Sequence, residues 1–206
     1  MTSFIEIVPS TQGLLPEPCD SCVWWQSSHR PGLGCGSREE WLQRVSRRFG
    51  SVGVVAAEAG STFAALQFAP AGSLARLSSL PGGHVVPEDG VLVYCLRAAE
   101  GTEAYEVRRL LHRALGILRR RDACSVYAFA QPLGSAHTVA SHNVWGLEFL
   151  AANGFHSVSS HGDMCVMTCQ LHGLLPSRLL PTASWLRVRS PAAAPTPVAF
   201  SRLRGG

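Results

Sequence analysis

Glu88 and Asp89 stand side by side in Pro-Glu-Asp-Gly, immediately ahead of the apolar run Gly90–Leu96. A carboxylate in such a place can relay a proton, directly or through water. The same four residues also make an ordinary turn. A second constellation is Cys19-x-x-Cys22, a standard zinc half-site, with Cys35, His29 and His84 as further candidate ligands. A matching second pair is missing, so no metal is expected. Trp24 and Trp25 lie in Cys22–Gln26, which is short, aromatic and strand-like. Neighbours on a strand face opposite sides, so one ring is expected in the core and the other in a substrate pocket. Arg108, Arg109, Arg113 and Arg119–Arg121 share the polar face of one helical pattern. Such a face is ordinarily solvated. Combined with a basic tail, it also suits nucleic-acid phosphates.

These residues need elements to hold them. Phe4–Val8 alternates like a first strand and is broken by Pro9, Pro16 and Pro18. Ser37-Arg-Glu-Glu40 is a capping box, and Trp41, Leu42, Val45 and Phe49 recur at helical spacing until Gly50. Ser51–Ala57 and Ser61–Ala69 flank a tight turn and read as a hairpin. A Pro/Gly/Ser-rich loop leads to Gly90–Leu96, a continuous apolar run typical of a central strand. Val107, Leu110, Leu111, Ala114, Leu115 and Leu118 trace one side of a long helix, which Thr102 is expected to cap. Cys124–Phe129 is a further strand, Asn143–Asn153 a helix stopped by Gly154, and Phe155–Val158 and Met164–Leu171 the closing strands. The sum is an α/β (α+β) mixed sheet with helices on both faces.

The chain has 206 residues, enough for one sizeable core, and no apolar run approaches the ~20 residues that span a bilayer. With no signal-like N-terminus, a cytoplasmic protein is expected. Seven cysteines make no disulfide framework; Cys95, Cys124, Cys165 and Cys169 fall in apolar segments, where cysteine acts as a small hydrophobe. The formal charge is +4, yet all 14 acidic residues precede Gly173 while five arginines follow it. The positive charge therefore belongs to the end of the chain. Residues 1–172 are expected to form the domain and 173–206, rich in Pro, Ala and Arg, an extended or disordered arm.

Several segments carry a resemblance: Cys19-Asp-Ser-Cys22-Val-Trp-Trp25, Phe68-Ala-Pro70, Val86-Pro-Glu-Asp-Gly-Val-Leu92, Leu118-Arg-Arg-Arg-Asp122, Val126-Tyr-Ala-Phe129 and Phe149-Leu-Ala-Ala-Asn-Gly-Phe155. In this order and spacing the chain, from about Phe4 to Leu171, resembles the GNAT superfamily of N-acetyltransferases, and more narrowly an actinobacterial-type branch of it. The resemblance implies a central strand that splays from its neighbour, with the pantetheine of an acyl-CoA donor lying along it, here against Val91, Val93, Tyr94 and Cys95. It implies pyrophosphate binding at the start of the following helix, near Arg108 and Arg109. It places an acceptor-facing carboxylate at Glu88 or Asp89 and Trp24 or Trp25 in the acceptor pocket. Asn143 would open the penultimate helix. The family's proton-donating tyrosine on that helix falls on Leu150, leaving His142 or Tyr127 to substitute.

The sequence departs from the family at the phosphate loop. The two glycine positions of Arg/Gln-x-x-Gly-x-Gly/Ala fall on Tyr105 and Val107, and Glu103 and Glu106 are expected in the first turn of the helix. Acids there stabilise an empty helix start and repel a pyrophosphate. Three functions stand: an N-acyltransferase moving an acyl group from a thioester or ester to an amine of a small molecule or peptide; a transferase of the same fold using aminoacyl-tRNA, gripped by the arginine face and tail; and an inactive binding module.

Overall fold

The computed structural model describes residues 1–27, 36–132 and 144–171. His29, Cys35, His142, Asn143 and the whole of 173–206 lie outside the described residues. Helix α1 (Arg38–Phe49) begins at Ser37, whose Oγ accepts from the Glu40 amide at 3.1 Å while the Glu40 carboxylate accepts from the Ser37 amide at 3.2 Å. Two otherwise orphaned amides are thereby satisfied. Trp41, Leu42 and Val45 turn inward, and Gly50 closes the helix at φ 89°, a conformation that costs glycine least. The Arg121 guanidinium donates to the carbonyls of Phe49 and Ser51 and to Glu6 Oε2, tying that helix end to strand β1 (Ser3–Glu6).

The strands form one eight-stranded mixed sheet. After β1 come β2 (Gly53–Glu58), β3 (Ser61–Pro70), β4 (Val91–Ala98), β5 (Ser125–Gln131), β6 (Trp145–Gly146), β7 (His156–His161) and β8 (Met164–Gln170). The spatial order is β1-β2-β3-β4-β5-β8-β7, with β6 paired to β5 off that path. Among the described residues, only β4–β5 and β5–β6 pair in parallel. Helix α2 (Ala104–Arg119) lies on one face with α3 (Leu147–Ala151), and α1 on the other. From α2, Leu110, Leu111, Ala114, Leu115, Ile117 and Leu118 are buried against Val54, Leu66, Val91 and Val93. Each leucine so buried is worth about 1.5–3 kcal/mol. Among the described residues, no helix is long and apolar enough to cross a membrane.

Several expectations need correction. Cys22–Gln26 is not a strand. The Val23 carbonyl accepts from the amides of Gln26 and Ser27 and from Ser27 Oγ, so the segment is a turn. Both tryptophans consequently swing to one side, with ring centroids 4.9 Å apart and edge-on. Helix α2 is capped by Glu103, not by Thr102, whose hydroxyl donates back to the Ala99 carbonyl at 2.7 Å. Only Glu106 lies within the first turn. Of the helix expected over 143–153, the described residues form Leu147–Ala151, with Trp145 and Gly146 drawn into pairing with β5. Cys124 is exposed rather than packed.

Candidate functional site at the bulge of the central strand

Strand β4 organises the site in two ways. It pairs with β5 only at Val91–Val126 and Leu92–Tyr127, and beyond Leu92 the two strands part. On its other edge it carries a bulge. Gln67 of β3 stands opposite Cys95 and Phe68 opposite Val93, so Tyr94 is the extra residue. A bulge breaks the alternation of a strand and re-aims side chains. Val91, Val93 and Leu96 face α2, whereas Leu92, Tyr94 and Cys95 face the α1 side. Two consecutive residues, Tyr94 and Cys95, are thus delivered to one face.

A cavity of about 330 Å³ opens there. Trp24, Trp25, Tyr94, Cys19, Arg38 and Arg97 are among its walls, together with Gln26 and Gln67. Its polar wall is built around Arg38, which is 5% exposed. Arg38 Nη2 donates to Gln67 Oε1 in a short bond. Gln26, oriented with its amide oxygen toward the guanidinium, accepts from Arg38 Nη1 at 2.6 Å while its nitrogen donates to the Val23 carbonyl at 3.2 Å. Tyr94 Oη donates to Gln67 Oε1 at 3.3 Å. Burial pushes the Tyr94 phenol up to about 12, partly offset by the Arg38 charge, so it stays protonated. Arg38 Nε and Trp25 Nε1 are buried without a hydrogen-bond partner. Arg76 fixes the tryptophan turn from outside, donating from Nε to the Trp24 carbonyl at 2.6 Å with its guanidinium 4.4 Å from the Trp24 ring centre.

Cys19 and Cys95 meet across this cavity. The hydrogen bond from Cys95 is the largest influence holding the Cys19 thiol down at about 6, with a smaller push from Arg97 and Arg38 and opposition from burial. The same pairing and burial move Cys95 strongly upward. Cys22, exposed, lines the same cavity. Among the described residues, no three His, Cys, Asp or Glu side chains converge as metal ligands.

The parting of β4 and β5 is partly filled. Strand β6 adds to β5 at Ala130–Trp145 and Gln131–Gly146. The indole of Trp145 reaches back to β4 and donates from Nε1 to the Val93 carbonyl at 3.4 Å. Its ring is buried and stacks on Phe149 with centroids 5.9 Å apart.

The structure thus brings together Trp24, Trp25, Tyr94 and Cys95 of the residues singled out by sequence. Val91 and Val93 are buried on the opposite face of the same strand. Tyr127 lies on the α1 side but over Gly90, where an added Cβ would meet its ring at 2.9 Å, and it does not line the cavity. Glu88 and Asp89 are exposed in the turn before β4, at the end where β4 and β5 are still paired. Arg109 is engaged on its own helix, bonded to both oxygens of Glu106 at 3.0 and 3.2 Å. Arg108 is half-buried, with Nε unpartnered. Tyr105, at the start of α2, is 60% exposed. Sequence reasoning passed over Arg38, Gln26, Gln67, Arg97 and Trp145, and did not pair Cys19 with Cys95. Two of these left a signal. Gln67 interrupts an apolar strand, and an arginine at the first position of α1 opposes the helix dipole.

Neither a protein-family model nor a curated protein sequence matches the chain. Solved structures do. The PaiA N-acetyltransferase of Thermoplasma acidophilum, crystallised in complex with coenzyme A, superposes at a TM-score of 0.50 with 13% identity, over 82% of this chain and 99% of that one. An acetyltransferase of the GNAT family from Streptococcus pneumoniae gives 0.48 with 8% identity, over 82% and 99%. The chain has the fold of the GNAT acetyltransferases.

Proposed function

We propose that this protein is an N-acyltransferase in which an acyl thioester, acyl-CoA in the simplest case, lies along the free edge of β4 and the amine acceptor occupies the cavity beneath α1. The observation that carries this reading is the coincidence, on one strand, of the parting from β5 after Leu92 and the bulge at Tyr94. The parting offers β4 backbone groups to an extended donor. The bulge sets the cavity against the same stretch. A backbone N–H of β4 would polarise the thioester carbonyl, and the acceptor nitrogen would attack its carbon. The C–S bond breaks, and the thiolate leaves and takes up a proton. The proton lost by the attacking amine needs an acceptor. Cys19, whose thiol is held below the usual thiol range, is the cavity group suited to receive it. Glu88 and Asp89 could take it only through solvent.

A second reading is favoured by one specific observation. The Trp145 indole occupies the Val93 carbonyl, a position that a donor lying along β4 would use. Glu106 and the exposed Tyr105 at the start of α2 point the same way, since the first disfavours a pyrophosphate and the second replaces a glycine. In this reading the fold persists as a binding module with the cavity as its site.

One experiment separates the two. Titrate acetyl-CoA and longer acyl-CoAs into the parent and Trp145→Phe by calorimetry, and assay transfer to a panel of amines. The acyltransferase reading expects Trp145→Phe to bind acyl-CoA more tightly than the parent, and product from at least one amine. Indifference of both proteins to every acyl-CoA, with no product, overturns it and leaves the binding module.

A further inference from the structure

We propose that the cavity beneath α1 binds a small carboxylate with an apolar, planar body. The argument begins with Arg38. A guanidinium taken out of water is costly unless its charge is met. Its hydrogen-bond partners are neutral oxygens, Gln67 Oε1 and Gln26 Oε1, and it lies 5.1 Å from the centre of the Trp41 ring. Among the described residues no carboxylate pairs with Arg38, and none of the residues lining the cavity is acidic. Arg97 brings a second cation to the same walls.

The shape of the site restricts the anion. A guanidinium presents parallel N–H donors that match a carboxylate. The remaining walls are the rings of Trp24, Trp25 and Tyr94, which suit a flat apolar body. About 330 Å³ lies at the small end of ligand pockets, roughly 300–1,000 Å³, and suits a small molecule. Taken with the acyltransferase reading, on which this step alone rests, the acceptor is an amine that carries a carboxylate and a large apolar side chain, the class of the aromatic and larger aliphatic amino acids. Carboxylate binding itself does not depend on that reading.

The test uses the full chain without any acyl donor. Four probes share one ring and differ in charge: L-phenylalanine, 3-phenylpropionate, phenethylamine and L-phenylalaninamide. Binding is read by calorimetry and by the shift in Tm. The first two are expected to bind and the last two to bind at least about tenfold more weakly, the size of a charge-assisted hydrogen bond. Arg38→Gln should remove that discrimination, with folding checked by circular dichroism. Should that variant fail to fold, Trp24→Ala, at a half-buried wall, should weaken 3-phenylpropionate by a similar factor. Equal binding of 3-phenylpropionate and phenethylamine overturns the proposal, as does unchanged carboxylate binding in a folded Arg38→Gln or, where that is unfolded, in Trp24→Ala. The two readings fail separately. Carboxylate binding without acyl transfer would sink the enzyme and keep the site. Transfer to phenethylamine without carboxylate preference would do the reverse.

Discussion

The two faces of β4 come from the same eight residues and differ in kind. Toward α2 the strand shows Val91, Val93 and Leu96 to a layer of leucines. Toward α1 it shows Leu92, Tyr94 and Cys95 to a buried arginine, two glutamines and a second thiol. One face is a packed apolar core, where each methylene contributes and geometry is forgiving. The other buries polar groups whose energy depends on every partner being present. Fold stability resides in the first and ligand chemistry in the second, because only unmet polar groups have something left to offer a ligand.

The comparison is tested most severely on the apolar face. Leu111→Ala, at a fully buried position, is expected to cost about 2–5 kcal/mol in chemical denaturation, while the folded fraction keeps its affinity for 3-phenylpropionate. A loss of affinity in the folded fraction would mean the faces are coupled.

On the polar face, Gln67→Leu strands the donors of Arg38 and Tyr94 and should cost about 1–3 kcal/mol. The double variant Arg38→Met, Gln67→Leu should lose less than the two single changes added together, since removing both partners leaves fewer polar groups unmet. Simple additivity in a double-mutant cycle would argue against a linked network.

The helix starts above the two faces differ as well. Ser37→Ala removes a reciprocal cap from α1 and should cost about 1 kcal/mol. Glu103 caps α2 without a side-chain bond, so Glu103→Ala should change stability by no more than about 0.5 kcal/mol. Equal losses in thermal melts would show that the capping box of α1 contributes nothing of its own.

The remaining test is a pH slope. Cys19 titrates at about 6 when folded, against 9.0 for the free thiol. Between these values the unfolded chain keeps a proton that the folded chain has lost, so stability should rise with pH across that window and fall away as pH drops through 6. Cys95, shifted upward chiefly by its bond to Cys19 and then by burial, works in the opposite sense above pH 9. Denaturation of the parent and of Cys19→Ser at pH 6, 7.5 and 9 would measure it. The serine variant should show the flatter profile, and a parent profile equally flat would mean that Cys19 stays protonated.

Local pattern carried most of the fold. The Ser37–Glu40 box, the leucine spacing of α2 and the hairpin around Gly60 are each set by neighbours in the chain, and each forms where those neighbours direct. Local pattern also drew attention to Trp24, Trp25, Tyr94 and Cys95, since aromatic and sulfur side chains stand out by type. It could not show that Trp24 and Trp25 lie on one side, because a turn held by the Val23 carbonyl competes with a strand of the same composition. The start of α2 was legible to within a residue, but its cap was not, since Thr102 had a nearer acceptor in the Ala99 carbonyl.

The sequence by itself determined the main helices and strands, and hence a mixed sheet covered on both faces, because periodicity and caps act over a few residues. Only the tertiary structure decided the site. Arg38 and Gln67 are 29 residues apart, Tyr94 lies 27 beyond Gln67, and the Trp145 indole reaches the Val93 carbonyl across 52. Contacts of that range depend on which strands pair and on one bulge that turns Tyr94 and Cys95 to the same face. A single extra residue in the β4 register reverses every side chain after it, and nothing in the local sequence of β4 marks where that residue falls.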